Sequence, residues 1–133
     1  MALREAPLRQ RRQIETAARE AEGYLELGMH RHALRSLERR GGLIAADGHA
    51  SYLMGECLRE LRQYREAIAP LRRAADLRPQ TCETWLALGW CYKRAGSLAD
   101  AIASLESALR FTPDDALLSY NLACYYSLAG RRL

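Results

Sequence analysis

Apolar side chains recur along this chain in helical stripes rather than in strict alternation. Between Cys82 and Asp115, Trp85, Leu88, Gly89 and Tyr92 stand at i, i+3, i+4 and i+7, a spacing that places them on one face of a helix. Gly96 predicts the end of that helix, because glycine takes the left-handed backbone conformation needed just past a last turn. Ser97-Leu98-Ala99-Asp100 then forms an N-cap with an acid three residues on, opening a second helix with Ala101, Leu105, Ala108 and Leu109 facing inward. Pro113 marks the next break, since the residue before a proline is pushed out of helical backbone.

The pattern returns every 34 residues. Tyr24, Leu58, Tyr92 and Tyr126 share one column, Ala33, Ala67 and Ala101 another, and Leu37, Leu71 and Leu105 a third. Ala21, Gly55, Gly89 and Ala123 keep a fourth column small, and Pro79 and Pro113 close two units at the same offset. The units are 14–47, 48–81 and 82–115, with a basic extension or helix start at 1–13 and a half unit or capping helix at 116–133. One pair of helices this short cannot bury its apolar face alone, so neighbouring pairs bury it for one another. Composition agrees: 22 Leu and 22 Ala against four Ile, four Thr and no Val leave few residues for strands, and the expected fold is all-α.

Trp85-x2-Leu88-Gly89-x2-Tyr92, followed by Ala101, Leu105, Ala108 and Pro113, resembles the tetratricopeptide repeat family, and the likeness covers roughly residues 14 to 130. The resemblance implies an α-α superhelix, a solenoid of about three and a half helix-turn-helix repeats, with a concave face built from the first helix of each pair. It implies that this groove binds a peptide or helix of a partner protein. By phase, Tyr52, Leu53, Leu86, Trp90, Leu117 and Tyr120 would form an apolar floor, Lys93 and Asn121 would add polar contacts, and Glu22 and Glu56 would select charge. Large aromatic anchors suit such a floor because they desolvate much area at little entropic cost. Some family members hold a chaperone's C-terminal carboxylate with Lys, Asn and Arg; the matching positions here are Ala18, Glu22, Leu53, Glu83 and Ala87, so that clamp is missing. The expected ligand is a protein or peptide with apolar and basic residues.

Three departures stand out. The first unit has Arg40 where the others have Ala74 and Ala108, Ala45 in place of a proline, and Gly41-Gly42 inside the expected second helix, whose end should be reshaped. Pro70 interrupts the second helix of the second unit and is expected on its outward side. The last half unit is apolar on nearly every side, so Leu118, Leu122, Tyr125 and Tyr126 are expected to offer a patch for a second copy or another protein.

Other chemistry is sparse. Cys57, Cys82, Cys91 and Cys124 form no C-x-x-C pair and His30, His32 and His49 lie apart from them, so no metal is expected. No phosphate loop or nucleophile motif occurs, and neither an enzymatic activity nor a cofactor is expected. The net charge of +4 divides as +2, 0 and +2 over residues 1–47, 48–115 and 116–133. The neutral middle and the groove glutamates count against RNA binding, the remaining alternative. Arg9, Arg11 and Arg12 form the densest basic cluster, which reads as a solvated helix end before it reads as a contact for phosphate or anionic lipid. No run is long enough for a membrane span and the N-terminal residues are charged at once, so a cytoplasmic location is expected.

Overall fold

The computed structural model describes residues 7–130, and among them it contains only helices. They are α1 (Leu8–Glu26), α2 (His30–Glu38), a 3-10 helix (Gly41–Ala46), α3 (Gly48–Glu60), α4 (Tyr64–Leu77), α5 (Cys82–Arg94), α6 (Leu98–Phe111) and α7 (Ala116–Leu128). Residues 1–6 and 131–133, the outer parts of the expected extension and half unit, lie outside the described residues. The fold is an all-α solenoid of stacked helix pairs. Two apolar clusters run through it: Ile14, Ala21, Leu37, Ile44 and Leu53 join the first pair to α3, and Leu71, Trp85, Leu88, Leu105 and Leu118 join α4 to α7. Each pair thus buries its stripe against the next one, the nearest-neighbour logic that the 34-residue period requires.

The period is visible in the backbone. Gly28, Arg62, Gly96 and Gly130 all have positive φ, at 73°, 62°, 89° and 73°. Beyond the first helix of each pair the same bonds form: the amides of Met29, Gln63 and Ser97 donate to the carbonyls of Tyr24, Leu58 and Tyr92, each at 2.8 Å. These bonds satisfy last-turn carbonyls that have no partner within the helix, and they turn the chain toward the second helix. Asp47 and Asp115 cap α3 and α7 by accepting the amides of Ala50 and Leu118 at 2.8 and 2.9 Å. Ser97 departs from its expected capping role: its hydroxyl donates to the Asp100 carboxylate instead of accepting a backbone amide.

Pro70 is buried rather than outward. Its column explains why, because the matching residues, Ser36 and Ser104, are buried too and donate their hydroxyls to the carbonyls of His32 and Asp100 four residues back. A small residue is needed there, next to the inward Leu37, Leu71 and Leu105. Proline meets that need at the cost of a helical amide.

The first pair is reshaped as expected. Its second helix stops at Glu38 and is nine residues long, whereas α4 and α6 run for 14. The 3-10 helix then inserts Ile44 into the core, 1% exposed, and the Ile44 carbonyl accepts the Ser51 hydroxyl at 2.9 Å. In the third pair Trp85 occupies the Ser51 column and makes the matching latch, its indole N–H donating to the Pro79 carbonyl at 2.7 Å.

Candidate functional site

The first helices of the pairs present three columns to the concave side: Tyr52 and Leu86; Leu53, Ala87 and Asn121; Glu56 and Trp90. Two hollows lie along them. One, of about 300 Å³, is lined by Tyr52, Glu56, Arg59, Glu83, Leu86, Ala87, Trp90, Asn121 and Tyr125. The other, of about 420 Å³, is lined by Leu25, His30, Tyr52, Leu53, Glu56 and Glu60. They share Tyr52 and Glu56 and so form one groove reaching from α1 to α7.

Trp90 differs from Trp85 in its surroundings. Its indole N–H has no hydrogen-bond partner among the described residues, and two cations flank its ring, Arg94 Cζ at 4.4 Å and Lys93 Nζ at 5.5 Å from the centroid. Lys93 also stands 5.8 Å from the Tyr125 ring. Lys93 therefore borders the aromatic wall through Trp90 and Tyr125 without lining either hollow.

The acids are less free than their sequence positions imply. Arg59 grips Glu56 through two bonds, Nε to Oε1 at 3.1 Å and Nη2 to Oε2 at 2.7 Å, and also meets Glu60 at 3.3 Å. The bonds to Glu56 hold the Arg59 guanidinium above its ordinary range. Glu22 pairs with His49 across the first two repeats, and Glu60 stands 3.9 Å from His30. Glu83 has no ion pair among the described residues. Counted over both hollows, Glu56, Glu60 and Glu83 stand against Arg59 alone, which leaves the groove acidic. Burial, with the charge of Glu56 adding to it, pushes the Tyr52 phenol up to about 12, so it stays a neutral hydrogen-bonding group.

Several expected positions shift. Leu53 lines the groove but is only 6% exposed, its side chain serving mainly the first cluster. Asn121 lines the groove while its amide nitrogen donates to the Leu117 carbonyl at 2.9 Å. Tyr120 lines neither hollow and is 68% exposed on α7. The expected patch needs a larger correction: Leu118, Leu122 and Tyr125 are buried and Tyr126 is half-buried, all packed into the second cluster. The exposed side of α7 carries Leu117, Tyr120, Cys124 and Leu128 instead. Tyr125 becomes a groove residue, and its column signalled its burial, since Cys91 and Cys57 stand 34 and 68 residues before it and are also buried. His30 and Leu25 complete the groove without having been singled out as contacts.

Three thiols, Cys57, Cys82 and Cys91, are held in the protonated form at neutral pH. Burial pushes Cys57 to about 12 and Cys91 to about 11; Cys82 rises to about 12 through burial and its bond to Asp115. That thiol, after the Leu118 amide, helps hold the Asp115 carboxyl below its ordinary range. Among the described residues no group of three or more His, Cys, Asp and Glu is placed to hold a metal ion, and no helix is long and apolar enough to cross a membrane.

Comparison with known proteins agrees with this geometry. The family described as tetratricopeptide repeat matches residues 52–116. No curated protein sequence gives a significant match. Among solved structures, a crystal structure of MamA superposes with a TM-score of 0.81 at 23% identity, over 88% of this chain and 68% of that one. MamA 41-end from Desulfovibrio magneticus RS-1 gives 0.78 at 20%, over 88% and 66%. The first TPR of Spaghetti (RPAP3), bound to the HSP90 peptide SRMEEVD, gives 0.78 at 12%, over 90% and 97%. At such identities the structural likeness is one of fold. The repeat columns, the positive-φ turns and the family match over residues 52–116 agree that this chain carries tetratricopeptide repeats.

Proposed function

We propose that this chain is a non-enzymatic protein-interaction scaffold whose concave groove holds a peptide or helix of a partner carrying apolar and basic residues. The observation that carries this reading is the continuous groove itself: aromatic walls from Tyr52, Trp90 and Tyr125 beside three carboxylates and one guanidinium. Trp90 supplies a large apolar face and a free indole N–H, the combination that makes tryptophan a strong anchor. Glu83, having no cation of its own, meets a ligand's Lys or Arg; Glu56 fixes Arg59 and shapes the floor. The peptide held by the Spaghetti domain carries two Glu and one Asp. An acidic segment of that kind meets repulsion here, so the charge preference is reversed.

Selection of a random peptide library on the full chain tests this. The expected result is enrichment of peptides that combine Arg or Lys with Leu, Phe or Trp, reduced by about tenfold or more on Trp90→Ala and shifted toward acidic peptides on Glu83→Lys. Acidic peptides on the native chain, or enrichment untouched by both variants, would overturn it.

The outer side of α7 supports a second reading, self-association. Leu117, Tyr120 and Leu128 are 56%, 68% and 60% exposed, and no charged residue lies between Ala116 and Gly130. Light scattering across a concentration series should then show mass rising with concentration, and Tyr120→Glu should abolish the rise. A constant monomer mass removes this reading and leaves the groove untouched.

A further inference from the structure

At the N-terminal end of the stack, two departures from the repeat meet in one place. Helix α1 starts at Leu8, six residues ahead of the offset at which α3, α5 and α7 begin, so its first turns are not needed by the repeat. That extension carries Arg9, Arg12, Gln13 and Thr16 at i, i+3, i+4 and i+7, a polar stripe on one helix face. Opposite stands Arg40, where the other pairs have the buried Ala74 and Ala108; the early end of α2 at Glu38 brings it there. The five side chains and Leu8 line a hollow of about 470 Å³ that shares no residue with the concave groove.

Arginine in an alanine column needs a reason, and the hollow supplies one. No carboxylate lines it, and Arg9, Arg12 and Arg40 form no ion pair among the described residues. The Arg40 Nε is buried and has no hydrogen-bond partner among the described residues. Three guanidiniums with hydroxyl and amide groups beside them form a donor set suited to tetrahedral oxyanions, which arginine binds through two parallel bonds. The hollow lies in the usual volume range of small-ligand sites and exceeds what a single phosphate fills.

We propose that the Arg9, Arg12 and Arg40 hollow is an anion site that takes a phosphate-bearing ligand with more than one phosphate or with a phosphorylated headgroup. Arg40 is the central donor, held by the α2 end, and Arg9 and Arg12 close on the ligand from α1. The site is independent of the groove and would couple the scaffold to a phosphorylated small molecule or to an anionic lipid surface.

Two probes distinguish the sources: calorimetric titration of the full chain with inorganic pyrophosphate, and co-sedimentation with phosphatidylcholine vesicles containing phosphatidic acid. The expected result is binding in at least one arm, one pyrophosphate per chain if the ligand is soluble, weakened about tenfold or more by Arg40→Ala and less by Arg40→Lys. Arg40→Ala restores the residue found in the sister pairs and should fold; Arg12→Gln, at an exposed position, tests the same site if it does not. Arg72→Ala, on α4, should bind like the native chain. Binding to vesicles alone assigns the site to a lipid headgroup, and binding to pyrophosphate alone assigns it to a soluble ligand. Absence of binding in both arms, or equal losses in Arg40→Ala and Arg72→Ala, would overturn the proposal.

Discussion

The second and third helix pairs have the same dimensions, 13 residues in α3 and α5 and 14 in α4 and α6, yet differ where the shape is hardest to form. The left-handed turn uses Arg62 in one and Gly96 in the other. The buried back-bonding column holds Pro70 in one and Ser104 in the other. The loop latch is the small Ser51 in one and the large Trp85 in the other. The third pair suits its backbone residue by residue, whereas the second adopts the same geometry against local preference. Its conformation is imposed by the pairs on either side, as expected when much of the stability resides in interfaces between units.

The largest expected effect breaks the pair that looks self-sufficient. Trp85 is 7% exposed, belongs to the main cluster and bonds the Pro79 carbonyl, so Trp85→Ala should cost about 3–5 kcal/mol in urea unfolding. A loss below about 1 kcal/mol would show that a small side chain suffices in this column, as Ser51 does in the second pair, and that the contrast between the pairs is superficial.

The small column gives a sharper test. A Cβ on Gly55 would lie 2.4 Å from Leu71 Cγ and Cδ2, while one on Gly89 would lie 3.2 Å from Leu105 Cδ2. Leu71 is fully buried and has nowhere to go, so Gly55→Ala should destabilise by about 2 kcal/mol through overpacking. For Gly89→Ala the milder contact is offset by the better helix propensity of alanine, worth up to about 1 kcal/mol, and the net change should stay within about 0.5 kcal/mol. Equal effects at the two sites would mean that the closer approach of α3 and α4 is not what distinguishes their pair.

Most of the architecture was legible because period and phase are properties of the chain alone. Columns such as Leu37, Leu71 and Leu105 announce an inward face wherever they occur, and Gly96 announces its turn. The groove was legible in part. Tyr52, Leu86 and Trp90 follow from phase, and the i, i+3 pairing of Glu56 with Arg59 lies within α3, but the pairing of Glu22 with His49 depends on which side chains reach each other across helices. Pro70 and Tyr125 were misplaced although their columns held the answer: Ser36 and Ser104 flank one, and Cys57 and Cys91 precede the other. Of the arginine hollow only the Arg9 and Arg12 side was legible, because Arg40 reaches α1 only after the early end of α2.

A smaller effect than those at Trp85 and Gly55 concerns Arg62, which holds a φ of 62° in the column that Gly28, Gly96 and Gly130 fill with glycine. Left-handed backbone costs a side-chain-bearing residue about 1–2 kcal/mol, because its Cβ crowds the neighbouring carbonyl oxygen. Glycine escapes that cost but gains freedom in the unfolded chain, which returns part of the advantage. Arg62→Gly should therefore stabilise the protein by about 1 kcal/mol, read as a higher urea midpoint at unchanged slope. Arg62 is exposed and makes no ion pair among the described residues, so little else is lost. The reverse change in the third pair, Gly96→Ala, should lower stability by about the same amount, as the added Cβ meets no other atom within 4 Å and only the backbone cost remains. Opposite signs of similar size would show that the second turn is held in place by the stack; a fall in stability on Arg62→Gly would show that the arginine side chain itself supports it.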